Sequence, residues 1–200
     1  MSQNTREQFL DSAQQLFARK GFYGASIAAV ARELGLTKQA LLHHFGSKEK
    51  LYGEVLGRIS ANLLAQSQAI VAAEAEPEKR LEALLLLQFE RQMGDQDGAR
   101  LIMRELLDNE QRAQRAGNWY LQPYLDLLLD TALETPRGRG LDRPQALAWV
   151  YQLLGAGHYF AVSQPTLEQM FGESALAKTR AAYREELGGL IRARLAAQSA

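Results

Sequence analysis

Lys38 and Gln39 are neighbouring side chains with hydrogen-bonding ends, and they directly follow Thr37. A lysine ammonium donates hydrogen bonds to O6 and N7 of guanine, and a glutamine amide pairs with the N6 and N7 edge of adenine. Ala40 and Leu42 offer apolar contacts that suit a thymine methyl group. This chemistry needs an element narrow enough to bring side chains to base edges in a major groove.

The surrounding sequence predicts such an element: two short helices joined by a tight turn, then a third helix. Ser26 and Thr37 are N-cap residues, and Gly35 follows the apolar positions of the first helix, where glycine adopts a left-handed backbone at little cost. Gly46 is predicted to end the second helix, and Ser47 to cap the third. The apolar positions of the first helix recur at helical spacing: Ile27, Val30, Ala31 and Leu34.

Three more side chains are predicted to hold backbone phosphates. Lys48 lies in the first turn of the third helix, where free N–H groups already favour an anion. His43 and His44 can donate hydrogen bonds to phosphates as well. The predicted DNA-binding set is therefore Thr37, Lys38, Gln39, Ala40, Leu42, His43, His44 and Lys48.

From about residue 5 to residue 55, the order and spacing of these residues resemble the tetracycline-repressor (TetR) family of bacterial transcription regulators. The resemblance implies a helix-turn-helix DNA-binding domain over 1–47 and a helical effector-binding and dimerisation domain over 48–200. It also implies a repressor that binds an inverted-repeat operator as a homodimer and is released by a small molecule. One position departs from the pattern, because Leu42 stands where a phosphate-holding tyrosine is common.

The charge distribution agrees with two domains that bind different partners. The net charge of the chain is zero, but residues 1–50 hold seven Lys/Arg against four acids. The remaining 150 residues carry the compensating excess of three acids, 19 against 16 bases. A net charge of +3 gives weak, salt-sensitive affinity for DNA, so two copies of the domain are expected to act together.

The pattern is helical throughout, and we expect an all-α fold. Beyond the head, helices are predicted to end near Ala73 and to cover Pro77–Met93, Arg100–Asn109, Asn118–Leu133, Asp142–Val162 and Ser174–Ala196, with a break at residues 164–166. The chain has no cysteine, and its longest apolar run, Ala146–Tyr151, is six residues. These features favour a cytoplasmic protein without disulfides or a membrane span.

The last two predicted helices are unusually rich in apolar and small residues. Trp149, Tyr151, Tyr159 and Phe160 lie on the first of them, together with Gly155 and Gly157. One interpretation is a core helix packed inside a single subunit. Members of the family pair through the last two helices, so the resemblance favours a homodimer interface there.

Aromatic, sulfur-containing and polar residues on the middle helices are candidates for the effector pocket that the resemblance implies. They are Phe89, Met93, Met103, Trp119, Tyr120, Tyr124, Trp149 and His158. This mixture suits a small apolar or aromatic effector with few polar anchors. Ordinary core packing is the alternative for each of them, and a hydrogen-bonded core or interface position is the alternative for His158.

The sequence also bears on two other functional classes, an enzyme and a protein-binding adaptor. An enzyme is disfavoured, because the sequence has no phosphate loop, nucleophile elbow, HExxH motif or paired carboxylates, and no cofactor is predicted. The adjacent pair His43 and His44 points to different faces of a helix and cannot share a metal ion as an i, i+4 pair would. A helical adaptor that binds only proteins remains open, although it leaves Lys38, Gln39 and Lys48 without a role.

Overall fold

The computed structural model describes residues 3–107 and 120–197. Within these ranges it contains helices and no strand, which confirms the all-α prediction. We number the helices as α1 (Gln3–Gly24), α2 (Ile27–Glu33), α3 (Lys38–Phe45), α4 (Lys48–Ala73), α5 (Pro77–Gly94), α6 (Gln96–Leu107), α7 (Gln122–Glu134), α8 (Arg143–Phe171) and α9 (Glu173–Ala196), with a 3-10 turn at Gly138–Gly140.

The chain forms two compact units, and α4 contributes to both. Unit 1 consists of Met1–Asn62 and Asp95–Leu121, and unit 2 of Leu63–Gly94 and Gln122–Ala200. Helix α6 thus belongs to the same unit as α1–α3, although more than thirty residues of the chain separate them. The predicted functional division between 47 and 48 concerns what each part binds and stays a prediction.

Unit 1 is organised around aromatic and aliphatic side chains from α1 to α4. Phe17 is fully buried and meets the ring of Tyr52 edge-on, with the ring centres 4.9 Å apart. Leu41 of α3 and Val30 of α2 are buried in the same cluster. The helices of the head are therefore fixed to one another by a single hydrophobic core.

Polar contacts attach α6 and the residue before it to the rest of unit 1. Gln14 donates from Nε2 to Oδ2 of Asp95, at 2.9 Å, and Arg104 donates from Nε to the carbonyl oxygen of Ala18, also at 2.9 Å. The hydroxyl of Tyr52 donates to Oε2 of Glu105, at 2.9 Å, and both residues are buried. Because hydrogen bonds to charged groups are the stronger kind, α6 is firmly attached to the head.

Unit 2 buries its apolar residues between α5, α7, α8 and α9. Leu81 and Leu84 of α5, Leu128 of α7 and Ile191 of α9 are each 0 % exposed. The turn after α7 allows only glycine at 138, because a Cβ there would lie 1.9 Å from the carbonyl oxygen of Ala132. This close approach holds the turn against the end of α7.

Helix α8 differs from the prediction, because it continues past Val162 and through Pro165 to Phe171. A proline inside a helix removes the hydrogen bond to the carbonyl four residues earlier, here that of Ala161. The side-chain amide of Gln164 donates to that carbonyl oxygen at 3.4 Å. The break predicted at residues 164–166 is therefore wrong, because the neighbouring side chain compensates in part for the missing bond.

Two predicted helix starts are also corrected. Helix α6 begins at Gln96 rather than Arg100, because Oδ1 of Asp95 accepts a hydrogen bond from the backbone N–H of Gly98 at 2.8 Å and acts as an N-cap. Helix α9 begins at Glu173, directly after Gly172 with φ of 85°, so Ser174 lies inside it and is not its cap. The predicted start at Asp142 is confirmed, with a complete capping box to Gln145.

Candidate nucleic-acid interface

The turns on both sides of α3 have the predicted geometry. Oγ of Ser26 accepts the backbone N–H of Ala29 at 3.1 Å, and Oγ1 of Thr37 accepts that of Ala40 at 3.1 Å. Gly35 has φ of 65° and Gly46 has φ of 77°, a left-handed backbone that disfavours other residues. These local contacts set where α3 begins, where it ends and how it leaves α2.

The two faces of α3 have different environments. Leu41 and Phe45 are 0 % and 3 % exposed and anchor the helix to the core of unit 1. The opposite surface is open: Thr37, Lys38, Gln39, His43 and His44 are exposed, and Ala40 and Leu42 are half-buried. Seven of the eight predicted DNA-binding residues thus lie on one short capped segment. Their individual contacts with DNA stay predictions.

Lys48, the eighth residue, is engaged within unit 1. Its ammonium donates to the carbonyl oxygens of Phe22 at 2.8 Å and Ala25 at 3.0 Å, and lies 4.3 Å from the centre of the Phe22 ring. Two of its three N–H groups are used by these bonds. A phosphate contact from Lys48 would therefore depend on the one remaining N–H.

The start of α4 also carries a negative charge. The pKa of the Glu49 carboxyl lies below its ordinary value, because the carboxylate accepts hydrogen bonds from its own backbone amide and from Ser47. Ser47 accepts in turn from the backbone N–H of Lys50 at 3.2 Å, which confirms the predicted cap. Glu49 thus occupies one of the free N–H groups, its own, that would otherwise attract a phosphate to this helix end.

Other cations of the head divide into paired and unpaired groups. Arg6 forms an ion pair with Glu54 and lies 5.0 Å above the ring of Phe45, and Arg19 pairs with Glu33. Within residues 3–107 and 120–197, no ion pair involves the exposed side chains of Lys20, Arg32, Lys38 or Lys50.

Lys50 has the most informative position of these four. Its side chain lies over the turn after α3, with Cδ 3.2 Å from where a Cβ of Gly46 would stand. Sequence reasoning did not single out Lys50, because nothing in the sequence distinguishes a paired cation from an unpaired one.

The predicted effector residues do not all come together in one unit. Phe89, Tyr124 and Trp149 lie in the hydrophobic core of unit 2, and Met93 packs against it. Met103 and Tyr120 belong to unit 1, where the carbonyl oxygen of Tyr120 accepts a hydrogen bond from Ser60 at 2.5 Å. Trp119 lies outside the described residues. Pocket lining by these residues stays a prediction.

Unit 2 also buries polar side chains next to that core. Nε2 of Gln92 donates to Nδ1 of His158 at 2.8 Å, and His158 is 8 % exposed. Nε2 of Gln164 lies 2.9 Å from Sδ of Met93, and Oε1 of Gln164 accepts a hydrogen bond from Arg180. His158 is thus buried and hydrogen-bonded, and its role in an effector pocket stays a prediction.

Burial also affects the tyrosines of this unit. It raises the pKa of Tyr124, whose hydroxyl donates to the carbonyl oxygen of Leu84 at 2.9 Å.

In the part of the chain that the structure describes, no group of three or more His, Asp or Glu side chains could hold a metal ion. No helix there is long and apolar enough to cross a membrane.

Comparison with known proteins places the same segment in one family. Residues 9–55 match the family described as bacterial regulatory proteins, tetR family. The transcriptional repressor KstR2 of Rhodococcus jostii is 33% identical over 85 residues, which are 42% of this chain and 42% of that protein. The chain therefore matches less than half the length of this curated relative.

Solved structures are similar over most of the chain. The fatty acid degradation regulator FadR from Bacillus halodurans superposes with a TM-score of 0.70 at 17% identity, covering 96% of each chain. FadR from Bacillus subtilis in complex with stearoyl-CoA superposes with a TM-score of 0.65 at 17% identity, covering 91% of this chain and 97% of that one. At this identity the likeness concerns the fold alone.

Proposed function

We propose that this chain, whose residues 9–55 match the bacterial regulatory proteins of the tetR family, is a ligand-responsive transcriptional repressor. In this proposal two copies bind an inverted-repeat operator, and a small effector bound in unit 2 releases them. Operator binding and its release take place on the chromosome in the cytoplasm and involve no enzymatic step. The characterised relative KstR2 is named a transcriptional repressor.

One observation carries the DNA-binding part of the proposal: α3 presents a polar, exposed surface opposite the buried Leu41 and Phe45. Lys38 and Gln39 lie in its first turn, where a recognition helix meets base edges in the major groove. The backbone amides at the start of α3 are suited to phosphates, and so is Lys50 beside its end, which forms no ion pair within residues 3–107 and 120–197. Half-sites are then expected about 34–36 Å apart, or a multiple of that distance.

Selection of bound duplexes from a random pool, followed by titration at fixed salt, tests this part. Lys38→Ala and Gln39→Ala are each expected to weaken binding to the selected operator about 5- to 150-fold and to relax specificity at one base pair. Gln15→Ala is the matched control, because Gln15 is exposed on α1 rather than α3. Unchanged affinity in both α3 variants would mean that another surface enters the groove.

The same selection separates this proposal from a protein-only adaptor. A repressor enriches related duplexes that contain two inverted half-sites. A pool that shows no enrichment at low salt, where electrostatic binding is strongest, would favour the adaptor.

The homodimer part is supported by exposed apolar side chains near the C-terminal end of the described chain. Large apolar residues that the described chain leaves exposed on α8 and α9 are Leu147, Tyr151, Tyr159, Met170, Phe171 and Leu190. Patches of this kind on a folded chain mark association surfaces. Sedimentation that shows a monomer at micromolar concentration would contradict the dimer.

The effector part is supported by the combination of aromatic and buried polar residues in unit 2. Phe89, Phe160 and Tyr183 form a stack in which the ring centres of Phe160 and Tyr183 are 3.9 Å apart. Met93 packs against the same hydrophobic core, and His158 is buried in the same unit. Such a combination of side chains suits an apolar or aromatic compound with few polar groups. FadR from Bacillus subtilis was solved with stearoyl-CoA, so acyl-CoAs belong among the compounds to be tested.

Thermal-shift measurements with fatty acids, acyl-CoAs and aromatic acids test the effector part. A compound that binds the folded chain raises Tm and, if it is an effector, weakens operator binding. Met93→Ala is expected to reduce the shift, whereas Met170→Ala, at a residue 66% exposed on α8, leaves it unchanged. Equal shifts in both variants would place the binding site away from Met93.

A further inference from the structure

Lys50 has an ammonium group that no other side chain or carbonyl of the described chain binds. The side chain is exposed, and within residues 3–107 and 120–197 its Nζ forms neither a hydrogen bond nor an ion pair. The backbone N–H of Lys50, by contrast, donates to Oγ of Ser47 at 3.2 Å, in the first turn of α4. The main chain of this residue is therefore fixed, while all three N–H groups of the ammonium are available to a ligand.

The stem of Lys50 lies across the turn that ends α3. A Cβ built on Gly46 would lie 3.2 Å from Cδ of Lys50 and 3.5 Å from its Nζ. A larger residue at 46 would therefore displace the lysine, in addition to straining a backbone with φ of 77°. Gly46 thus leaves the space in which Lys50 reaches back from α4 to the C-terminal end of α3.

Two other cations near this end of α3 are engaged inside unit 1. The ammonium of Lys48 donates to two backbone carbonyl oxygens and lies over an aromatic ring. The guanidinium of Arg6 pairs with Glu54 and lies over the ring of Phe45. A ligand that took either cation would weaken these contacts, whereas Lys50 has no such contact to lose.

A lysine beside a helix C-terminus can also serve that helix alone, by donating to its last carbonyl oxygens. The ammonium of Lys50 makes no such hydrogen bond within the described ranges, although it lies beside the last turn of α3. The negative end of the helix dipole attracts a cation to this place without using its N–H donors. An acceptor from outside the subunit can therefore bind the ammonium there.

The length of α3 indicates which acceptor this is. Eight residues at about 1.5 Å each make α3 about 12 Å long, and a major groove is about 12 Å wide and about 8.5 Å deep. When Lys38 and Gln39 of the first turn meet base edges, the last turn of α3 lies at the rim of the groove. Negatively charged phosphates line that rim.

We propose that the ammonium of Lys50 binds a backbone phosphate of the operator beside the C-terminal end of α3, and that Lys50 takes the role that the sequence assigns to Lys48. This inference rests on the operator binding proposed above and adds the cation that holds this end of α3. A lysine binds phosphate as a compact point charge, so the contact positions the head on DNA without reading a base.

The salt dependence of operator binding measures this contact. One phosphate contact contributes about 0.9 to the slope of log affinity against log salt for each bound copy. Lys50→Gln is therefore expected to lower the slope by about 0.9 per copy and to weaken binding to all duplexes by a similar factor. Between about 50 and about 200 mM salt, the ratio of wild-type to variant affinity should fall about 3.5-fold per copy.

Three further variants accompany this measurement. Lys178→Gln is the matched control, because Lys178 is exposed on α9, forms no ion pair among the described residues, and should leave the slope unchanged. Lys50→Arg keeps the charge and should recover most of the affinity that Lys50→Gln loses. Lys48→Met tests the competing cation. If Lys50→Gln behaves like Lys178→Gln, or if Lys48→Met lowers the slope instead, the proposed contact is wrong.

Uncharged phosphate analogues locate the contact on the operator. One phosphate at a time is replaced by a methylphosphonate, and the affinities of the wild type and of Lys50→Gln are measured for each duplex. We expect a position in each half-site where the replacement weakens binding of the wild type but not of Lys50→Gln, because the variant has no charge to lose there. If both proteins respond equally at every position, Lys50 does not bind a phosphate.

The two levels of the proposal fail in different ways. If the wild-type chain enriches no duplex from the random pool, the proposed function is wrong and the contact of Lys50 falls with it. If the wild type selects an operator and Lys50→Gln leaves its salt slope unchanged, only the contact of Lys50 is wrong. Because Lys50 is exposed, Lys50→Gln is expected to keep the wild-type Tm, which separates a lost contact from a lost fold.

Discussion

The ammonium of Lys48 lies 4.3 Å from the centre of the Phe22 ring and also donates to the carbonyl oxygen of the same residue. Phe22 follows Gly21, whose backbone leaves the helical region with φ of 69°. One side chain at the start of α4 thus holds the segment that connects α1 to α2. We infer that Lys48 positions the helix-turn-helix.

We predict that Lys48→Met lowers the free energy of unfolding by about 1–3 kcal/mol, because two hydrogen bonds from a charged donor are lost. Its effect on DNA affinity should follow that destabilisation, while the slope of log affinity against log salt stays unchanged. Lys38→Met is the matched control and should leave Tm unchanged but weaken operator binding. If Lys48→Met keeps the wild-type Tm and reduces the salt slope by about one, Lys48 is a phosphate contact after all.

The hydrogen bond between Tyr52 and Glu105 gives a second prediction. Tyr52→Phe removes the hydroxyl that donates to a buried carboxylate, and we expect a loss of about 1–3 kcal/mol in the free energy of unfolding. Tyr23→Phe, at an exposed tyrosine of the same unit, should have no measurable effect. Chemical denaturation of both variants provides the comparison. Equal stability of Tyr52→Phe and the wild type would show that this bond does not hold α6 to the head.

Local signals in the sequence were sufficient for much of the head. The caps at Ser26, Thr37 and Ser47 and the left-handed glycines at 35 and 46 depend on contacts within three or four residues, so the sequence predicts them directly. The exposed face of α3 follows from the same periodicity.

Contacts between distant segments of the chain could not be predicted from the sequence. The carbonyl partners of Lys48 lie 23 and 26 residues earlier in the chain, and no pattern indicates them. The membership of α6 in unit 1 likewise depends on pairs such as Gln14 with Asp95, 81 residues apart. Pro165 predicts a break in the helix. The bond from Gln164 that compensates for the proline depends on a side-chain rotamer, which the sequence does not indicate.

The extension of α8 through Pro165 gives a third prediction. Pro165→Ala restores a backbone N–H that can donate to Ala161, so we expect Tm to rise, with up to about 3 kcal/mol available from relief of the proline. Gln164→Ala should lower Tm, because it removes the amide that bonds Ala161 and the oxygen that accepts from Arg180. A fall of Tm in Pro165→Ala would indicate that the surrounding helices are packed around a proline-bent α8.

Glu49 gives a prediction about pH. The pKa of its carboxyl is lowered from 4.5 by hydrogen bonds from its own backbone amide and from Ser47. A carboxyl whose pKa is lower in the folded chain than in the unfolded chain stabilises the folded chain at pH values above the ordinary pKa. This stabilisation is lost as the pH falls through the lowered pKa. Glu49→Gln should therefore lower Tm near neutral pH, and the difference from the wild type should shrink as the pH falls below 4.5 and through the lowered pKa. The effect should be small, because the side chain is largely in solvent.

Ser47→Ala tests the cause of that shift. Without the Ser47 hydroxyl, the pKa of Glu49 should move back toward 4.5, which the carboxyl chemical shift of Glu49 reports directly. The same substitution also removes the cap on the N–H of Lys50, so Tm should fall at every pH. An unchanged Glu49 titration in Ser47→Ala would leave the backbone amide and the nearby charge of Lys48 as the causes of the lowered pKa. A Tm difference between Glu49→Gln and the wild type that persists at pH 2 would show that the carboxylate does not stabilise the chain through its charge.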